Sequence, residues 1–219
     1  LESARFAGDA ALIEQALTAL RQLSRTYAGS VPRGAQTWEV PLHTPDILAA
    51  AHLVRAFTIG YELTGDRGLL DEAVAWAWTG LPFLYLADPV GTADGPYGCV
   101  TVFGATAWKS PVWIGRPVQW CGLVYAHALY RLAEHAPEGP WRRLADGITA
   151  TGIRYSWPVA PPDAPAEARE RQGLLPDGWE VLDRFPVDPP INPGTVQACA
   201  VELFRKGPLL DCRTLAIGE

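Results

Sequence analysis

The feature that most constrains this chain is a repeated order of an apolar helix, a short turn and an amphipathic helix. Residues 45–63 and 117–134 are apolar nearly all round, and each run is followed by a turn and a helix with one polar face, at 67–80 and 141–155. A helix that is apolar on every side has to be buried, whereas a helix with a charged face meets water. The sequence therefore predicts two antiparallel hairpins, each with an inner and an outer helix.

A short internal match supports the repeat. Tyr61-Glu62-Leu63 in the first hairpin corresponds to Tyr130-Arg131-Leu132 in the second, at an offset of 69 residues. In the first apolar run the polar residues His52, Arg55 and Glu62 share one stripe, since their spacings of three and seven place neighbours on one helix face. His52 and His127 lie within apolar helices, and we expect them to be core histidines.

Further helices flank these hairpins. An apolar stripe with an Asp9 cap predicts a helix at 9–27, and Asn192-Pro193 predicts the start of the last one. Thr44 is the expected cap of the first inner helix, with Pro45 at its first position and Asp46 in its first turn. Residues 97–116 are predicted to form a long crossing loop with a short hairpin. Residues 157–192 are predicted to form a Pro-rich excursion or a short helix. We expect one all-α domain over 1–219, with long aromatic-rich loops.

Composition excludes several classes of partner and cofactor. The net charge is -6, and lysine occurs only at Lys109 and Lys206, so no basic block is available to follow a nucleic-acid backbone. No apolar run reaches the roughly 18 to 20 residues of a membrane span, and the first residues lack the layout of a signal peptide. The four cysteines form no C-x-x-C pair and are expected to be buried, and no P-loop or H-E-x-x-H occurs. No metal, cofactor, nucleic acid or membrane is predicted.

Tryptophans in loop-like stretches are the clearest functional signal. The chain has nine tryptophans. Several of them lie near Pro or Gly and off the helical period: Trp38, Trp108, Trp113, Trp157 and Trp179. Planar rings on loops suit the apolar faces of sugars, and they equally suit plugs at the ends of a helical bundle. Both interpretations stay open.

Two long stretches carry a family resemblance. They are TWEVPLHTPDILAAAHLVRAFTIGYELTGDRGLLDEAVAWAWTGLPF and WIGRPVQWCGLVYAHALYRLAEHAPEGPWRRLADGI, within residues 37–155. This part resembles the alpha/alpha toroid module of bacterial six-hairpin glycosidases and polysaccharide lyases. The resemblance implies inner helices around a funnel, a sugar-binding cleft formed by loops before their N-termini, an oligo- or polysaccharide partner and an extracytoplasmic location.

A full toroid needs about twelve helices, and at ordinary helix and loop lengths this chain holds about half of them. The chain also contains no methionine. We therefore expect a fragment, with other parts of the ring on further domains of a longer chain or on a second subunit.

Glycoside hydrolysis is the leading functional hypothesis. It requires two carboxyl groups across the scissile bond, and loop acids beside aromatic residues point to Glu39 and Asp177 as the catalytic pair, with Glu180 nearby. Solvated loop acids are the plain alternative. The expected substrate-binding residues are Trp38, His43, Trp113, Arg116, Gln119 and Trp179.

Two other functions compete with hydrolysis. A polysaccharide lyase needs a base and a group that holds a uronate carboxylate, for which His43, Arg116, Gln119 and Tyr125 are available. It ranks lower because the Asn-His arrangement familiar in several toroid lyases is missing. A non-catalytic helical scaffold or glycan-binding domain is the third possibility.

Overall fold

The computed structural model describes residues 1–33, 45–87, 96–101, 116–180, 185–191 and 194–206, with only the backbone described at 177–180, 185–191, 195, 205 and 206. The helices are α1 (Glu2–Ala7), α2 (Ala10–Tyr27), α3 (Ile47–Thr64), α4 (Arg67–Gly80), α5 (Gln119–Ala133), α6 (Trp141–Tyr155), α7 (Ala166–Arg171) and α8 (Gly194–Lys206). A 3-10 turn at Leu81–Phe83 and two strands, β1 (Leu175–Glu180) and β2 (Phe185–Ile191), complete the described elements. The prediction of a mostly helical chain is confirmed.

Aspartate side chains cap the starts of three helices. Asp9, Asp46 and Asp66 each accept a backbone N–H from the first turn of α2, α3 and α4, and the bond from Ala49 N to Asp46 Oδ1 is 2.7 Å long. The predicted cap at Thr44 was wrong, because Asp46 is extended and itself caps α3. Helix α3 therefore begins later than expected.

Helices α3 and α5 lie side by side and run parallel. At their starts both meet the same residue, since Ile47 N donates to Thr101 O (3.1 Å) and Thr101 Oγ1 lies 3.4 Å from Cys121 Sγ. At their ends Glu62 of α3 is bonded to Arg131 of α5. Contacts of start with start and end with end fix the parallel direction.

The helices α2, α4 and α6 run the opposite way. Short turns return the chain from α3 into α4 and from α5 into α6. For α2 the direction follows from its contacts with α3: Leu20 lies against Gly60 near the end of α3, whereas Leu23 lies with Ala49 and Leu53 near its start. We call α2, α4 and α6 the outer helices.

Helix α8 is a third helix parallel to α3 and α5. Cys199 Sγ contacts Leu123 O at 3.2 Å, and Glu202 O, one turn later, accepts a hydrogen bond from Arg142 at 3.1 Å. Arg142 in turn lies over the ring of Tyr130, near the end of α5. Positions along α8 and α5 thus increase together, and we call α3, α5 and α8 the inner helices.

The inner helices α3 and α5 are more deeply buried than their outer partners. Ten of the 18 residues of α3 and ten of the 15 in α5 are buried, compared with six of 14 in α4 and eight of 15 in α6. This order confirms the prediction made from the polar content of the four helices. Among the described residues no helix is long and apolar enough to cross a membrane.

The excursion at 157–192 is only partly as predicted. The short helix is present as α7, but β1 and β2 pair antiparallel with Leu175 opposite Ile191 and Glu180 opposite Phe185. Prolines disfavour strands, because a proline cannot donate to a strand ladder. A two-stranded ribbon with an irregular register tolerates them, since each strand needs only its inward-facing N–H groups.

Candidate functional site

The starts of the inner helices α3 and α5 form one end of the inner layer. We call this end the N-terminal rim; it comprises residues 45–47, 97–101 and 116–119. The segment 97–101 crosses it and is bonded on both sides, because Val100 N donates to Phe83 O (2.9 Å) and Val118 N donates to Cys99 O (2.7 Å). The rim is therefore a built part of the fold.

Gln119 is a buried brace of the rim. Its side-chain oxygen accepts from Cys99 N at 3.0 Å, and its Nε2 donates to Tyr97 O at 3.1 Å and to Ile148 O at 2.9 Å. The residue is 2% exposed, and its acceptor and both donor hydrogens are used within the fold. The structure thus assigns Gln119 to the support of the rim, whereas a sugar contact was predicted for it.

The predicted site residues Trp38, Glu39, His43 and Trp113 lie outside the described residues. The positions that flank them are described, and they belong to the rim. Arg33 and Pro45 form a β-bridge around the first segment, and Val100 and Pro117 form one around the second. Both segments therefore leave and rejoin the described structure at the same end.

Asp177 and Trp179 lie in β1, of which the backbone is described at these positions. The strand packs against α5 and α6. It begins directly after Leu174, whose carbonyl accepts from Trp157 N (2.8 Å) just beyond the end of α6. Because α6 runs antiparallel to α5, the start of β1 lies at the N-terminal rim. Arg116 is half-buried at the same rim, directly before Pro117.

A concave site, which we call the charged cleft, lies toward the other ends of α3 and α5. Its volume is about 640 Å³. It is lined by Arg5, Glu62, His127, Tyr130, Arg131, Glu134, His135 and Glu202. A volume of this size falls in the range of small-molecule sites.

Glu62 is the centre of the charged cleft. Its carboxylate accepts from Arg131 Nε (2.8 Å) and Nη2 (2.5 Å), from Arg5 Nη1 (2.5 Å), and lies 3.0 Å from His135 Nε2. Burial by itself raises the pKa of Glu62, but the hydrogen bonds from Arg131 and His135 and the nearby positive charges outweigh it and lower the pKa to about 2. The carboxylate stays ionised near neutral pH, so it serves as an acceptor and not as a proton donor.

Helix α1 crosses the inner helices at this cleft. Glu2 Oε1 lies 2.5 Å from Arg55 Nη2 of α3 and 3.8 Å from Arg131 Nη1 of α5, while Arg5 reaches Glu62. The hydrogen bond from Arg55 is the main cause of a lowered pKa of the Glu2 carboxyl. The first helix is thus joined by ion pairs to two inner helices.

His127 and Tyr130 add uncharged polar groups to the cleft. Burial, followed by the charge of Arg55, lowers the pKa of His127. Burial raises the pKa of Tyr130, whose hydroxyl lies 3.0 Å from Thr149 Oγ1. His127 is half-buried, whereas His52 is exposed, so the prediction of a core position was wrong for His52. The start of α3, where His52 lies, is open on the side that faces α2.

Sequence reasoning found the polar stripe of α3 but not the cleft. The stripe placed Arg55 and Glu62 on one face, and the internal repeat placed Arg131 at the position equivalent to Glu62. A charged pair at equivalent positions of two buried helices was the available signal, because parallel helices bring equivalent positions together. The contribution of α1 had no such signal.

No protein-family model, no curated protein and no solved structure matches this chain. Among the described residues, no group of three or more histidine, cysteine, aspartate or glutamate side chains is placed to hold a metal ion. The function is therefore argued from the geometry of the rim and the charged cleft.

Proposed function

We propose that this chain is a carbohydrate-active module of the alpha/alpha toroid class and that its reaction is glycoside hydrolysis. The observation that carries the proposal is the alternation of parallel inner helices α3, α5 and α8 with antiparallel outer helices α2, α4 and α6. The outer helices α4 and α6 also contact each other, since the rings of Trp78 and Trp141 lie 4.9 Å apart. This is the order that an arc of hairpins around a funnel requires.

Three inner and three outer helices amount to half of a six-hairpin ring. The proposal therefore includes further helices, from other domains of a longer chain or from a second subunit, that complete the funnel. An extracytoplasmic location belongs to the same proposal, since it follows from the resemblance to glycan-degrading toroids.

The N-terminal rim is the proposed catalytic end. The segment that contains Glu39 is flanked by the Arg33–Pro45 bridge, and the backbone of Asp177 lies in the strand that begins beside the end of α6. One carboxyl group would protonate the leaving oxygen and the other would act as nucleophile or base. We infer that Glu39 and Asp177 act together at this rim, since catalytic residues commonly lie on loops positioned by a rigid scaffold.

Aromatic and cationic side chains of the same segments are the proposed sugar contacts. Trp38, Trp113 and Trp179 offer flat apolar surfaces for pyranose rings, and His43 and Arg116 offer hydrogen-bond donors. The buried amide of Gln119 holds the rim in shape.

The test is release of reducing ends from a panel of neutral and acidic polysaccharides. Glu39→Gln and Asp177→Asn should each lower turnover at least about a hundredfold, the usual contribution of a general acid or base, while oligosaccharide binding persists. Glu14→Gln changes an exposed glutamate of α2 and serves as the matched control.

Other outcomes of this assay separate the competing functions. An unsaturated product that absorbs in the ultraviolet would assign the chain to the polysaccharide lyases. Binding of sugars without turnover would leave a glycan-binding scaffold. Full activity in both acid variants would reject the two-carboxylate mechanism for this pair.

A further inference from the structure

The carboxylate of Glu2 is held by arginines from two different helices. Arg55 Nη2 of α3 lies 2.5 Å from Glu2 Oε1, and Arg131 Nη1 of α5 lies 3.8 Å from the same oxygen. The two arginines belong to the packed inner layer, and their side chains are 33% and 23% exposed, whereas the Glu2 side chain is 53% exposed. The two arginines are therefore held more firmly in place than the Glu2 carboxylate.

Arg55 has an unused donor at this position. Its Nε atom is buried and has no hydrogen-bond partner among the described residues. Guanidinium groups bind carboxylates best through two parallel N–H bonds, and Glu2 takes only one of those that Arg55 offers. A carboxylate that is free to orient itself could take both.

The occupying helix is weakly held by packing. Its only buried side chain is Ala4, and Phe6 is 95% exposed. The ion pairs of Glu2 and Arg5 therefore act together with the packing of Leu1 and Ala4 in keeping α1 on the inner helices.

We propose that Arg55 and Arg131 form a binding site for a carboxylate-bearing small molecule, and that Glu2 fills this site from within the chain while α1 is docked. The site lies beside the charged cleft, of which Arg131 is a lining residue, and Arg55 and Arg131 are not residues of the N-terminal rim. Its test is therefore independent of any catalytic activity at the rim.

The surrounding charges favour a ligand with one carboxylate over a polyanion. Arg5 and His135 both contact Glu62, and His127 is close enough to Arg55 and Glu202 to feel their charges. The carboxylates of Glu62, Glu134 and Glu202 line the same cleft. A second negative charge on the ligand would meet these groups, whereas hydroxyl groups could bond to them.

Calorimetric titration with glucuronate, glucose and acetate tests the proposal. Glu2→Ala should bind glucuronate at least about tenfold more tightly than the unchanged protein, because removal of a competing group frees the site. Glu14→Ala is the control, since it removes the same charge from an exposed position on α2. Glucose should not bind measurably to the carboxylate site in either protein.

Two arms of the experiment separate the sources of the carboxylate and guard against misfolding. Equal gains in affinity for acetate and glucuronate mean that the site recognises a carboxylate alone. A gain in affinity for glucuronate alone means that the site recognises an acidic sugar. Arg55→Ala in the Glu2→Ala background should abolish the gain, with helix content by circular dichroism unchanged. A gain that survives this second substitution, or no gain over Glu14→Ala, overturns the proposal.

A second readout uses the unchanged protein. Saturating glucuronate should speed amide exchange in α1 by displacing it, while α3 and α5 become no less protected. Binding of glucuronate that leaves exchange in α1 unaltered would contradict competition between the ligand and Glu2.

Discussion

Glu62 and Arg131 occupy equivalent positions in two successive helical hairpins, 69 residues apart, and they bond to each other through two hydrogen bonds of 2.8 and 2.5 Å. The parallel direction of α3 and α5 explains the contact, because equal steps along parallel helices remain side by side. The two hairpins carry opposite charges at this equivalent position, so an ion pair joins one hairpin to the other. The pair also holds Arg5 and His135 in place.

Glu62→Gln should destabilise the fold. The amide retains the shape but loses the charge that three cationic or polar groups share, and hydrogen bonds to charged groups have a net contribution of about 1.5 to 3 kcal/mol each. Because the Glu62 side chain is only 15% exposed, water is a poor substitute for the hydrogen bonds that the substitution weakens. We expect a loss of about 2 kcal/mol in the free energy of unfolding, measured by urea denaturation.

Glu14→Gln provides the comparison for that loss, since it removes an exposed carboxylate and should change stability by less than about 0.5 kcal/mol. Equal effects of the two substitutions would mean that the Glu62 cluster behaves as an ordinary surface ion pair.

Acid should weaken the unchanged protein through Glu62. The pKa of its carboxyl is about 2 in the folded chain, below its ordinary value of 4.5, so the ionised form is favoured by folding. The resulting stabilisation is complete above pH 4.5 and is lost as the pH falls toward 2. Urea midpoints measured across this window should therefore decline more steeply for the unchanged protein than for Glu62→Gln. Parallel declines would assign the acid sensitivity to other carboxyl groups.

The helical part of the fold was predictable because its signals are local. Asp9 before an apolar stripe and the Gly65-Asp66 turn after an apolar helix are contained within a few residues of the helix ends that they specify. The burial of α3 and α5 followed from their lack of a charged face. The β1–β2 pairing could not be predicted in this way, since the prolines of both strands mask the usual alternating pattern.

The site was predictable only in outline. Gln119 was expected to contact sugar because it lies in a tryptophan-rich stretch that leads into an apolar helix. Its partners Tyr97 O and Ile148 O lie 22 and 29 residues away. Only the packing of α6 against the rim reveals that its amide is used internally. Likewise, nothing near Glu2 in sequence indicates that its carboxylate lies beside Arg55.

Gln119→Leu should be among the most destabilising substitutions in the chain. It removes three hydrogen bonds and leaves buried backbone groups of Cys99, Tyr97 and Ile148 without this partner, and an unsatisfied buried group costs about 1 to 3 kcal/mol. We expect a loss of about 3 kcal/mol in unfolding free energy. Gln22→Leu, at an exposed position of α2, is the matched control, and a similar loss in both would deny Gln119 its bracing role.

Salt should release α1 before it affects any inner helix. The α1 contacts are ion pairs between side chains that remain partly exposed, with Arg5 48% and Glu2 53% accessible to water. Raising sodium chloride from about 0.1 M to about 1 M shortens the Debye length from about 10 Å to about 3 Å, which weakens such pairs. Amide exchange in α1 should therefore accelerate several-fold over this range, whereas α3 should keep its protection because apolar burial holds it. The order in which the helices respond is the critical result. If the amides of α1 exchange at the same rate at both salt concentrations, the docking of α1 rests on the packing of Ala4 and Leu1, and the ion pairs of Glu2 and Arg5 contribute little.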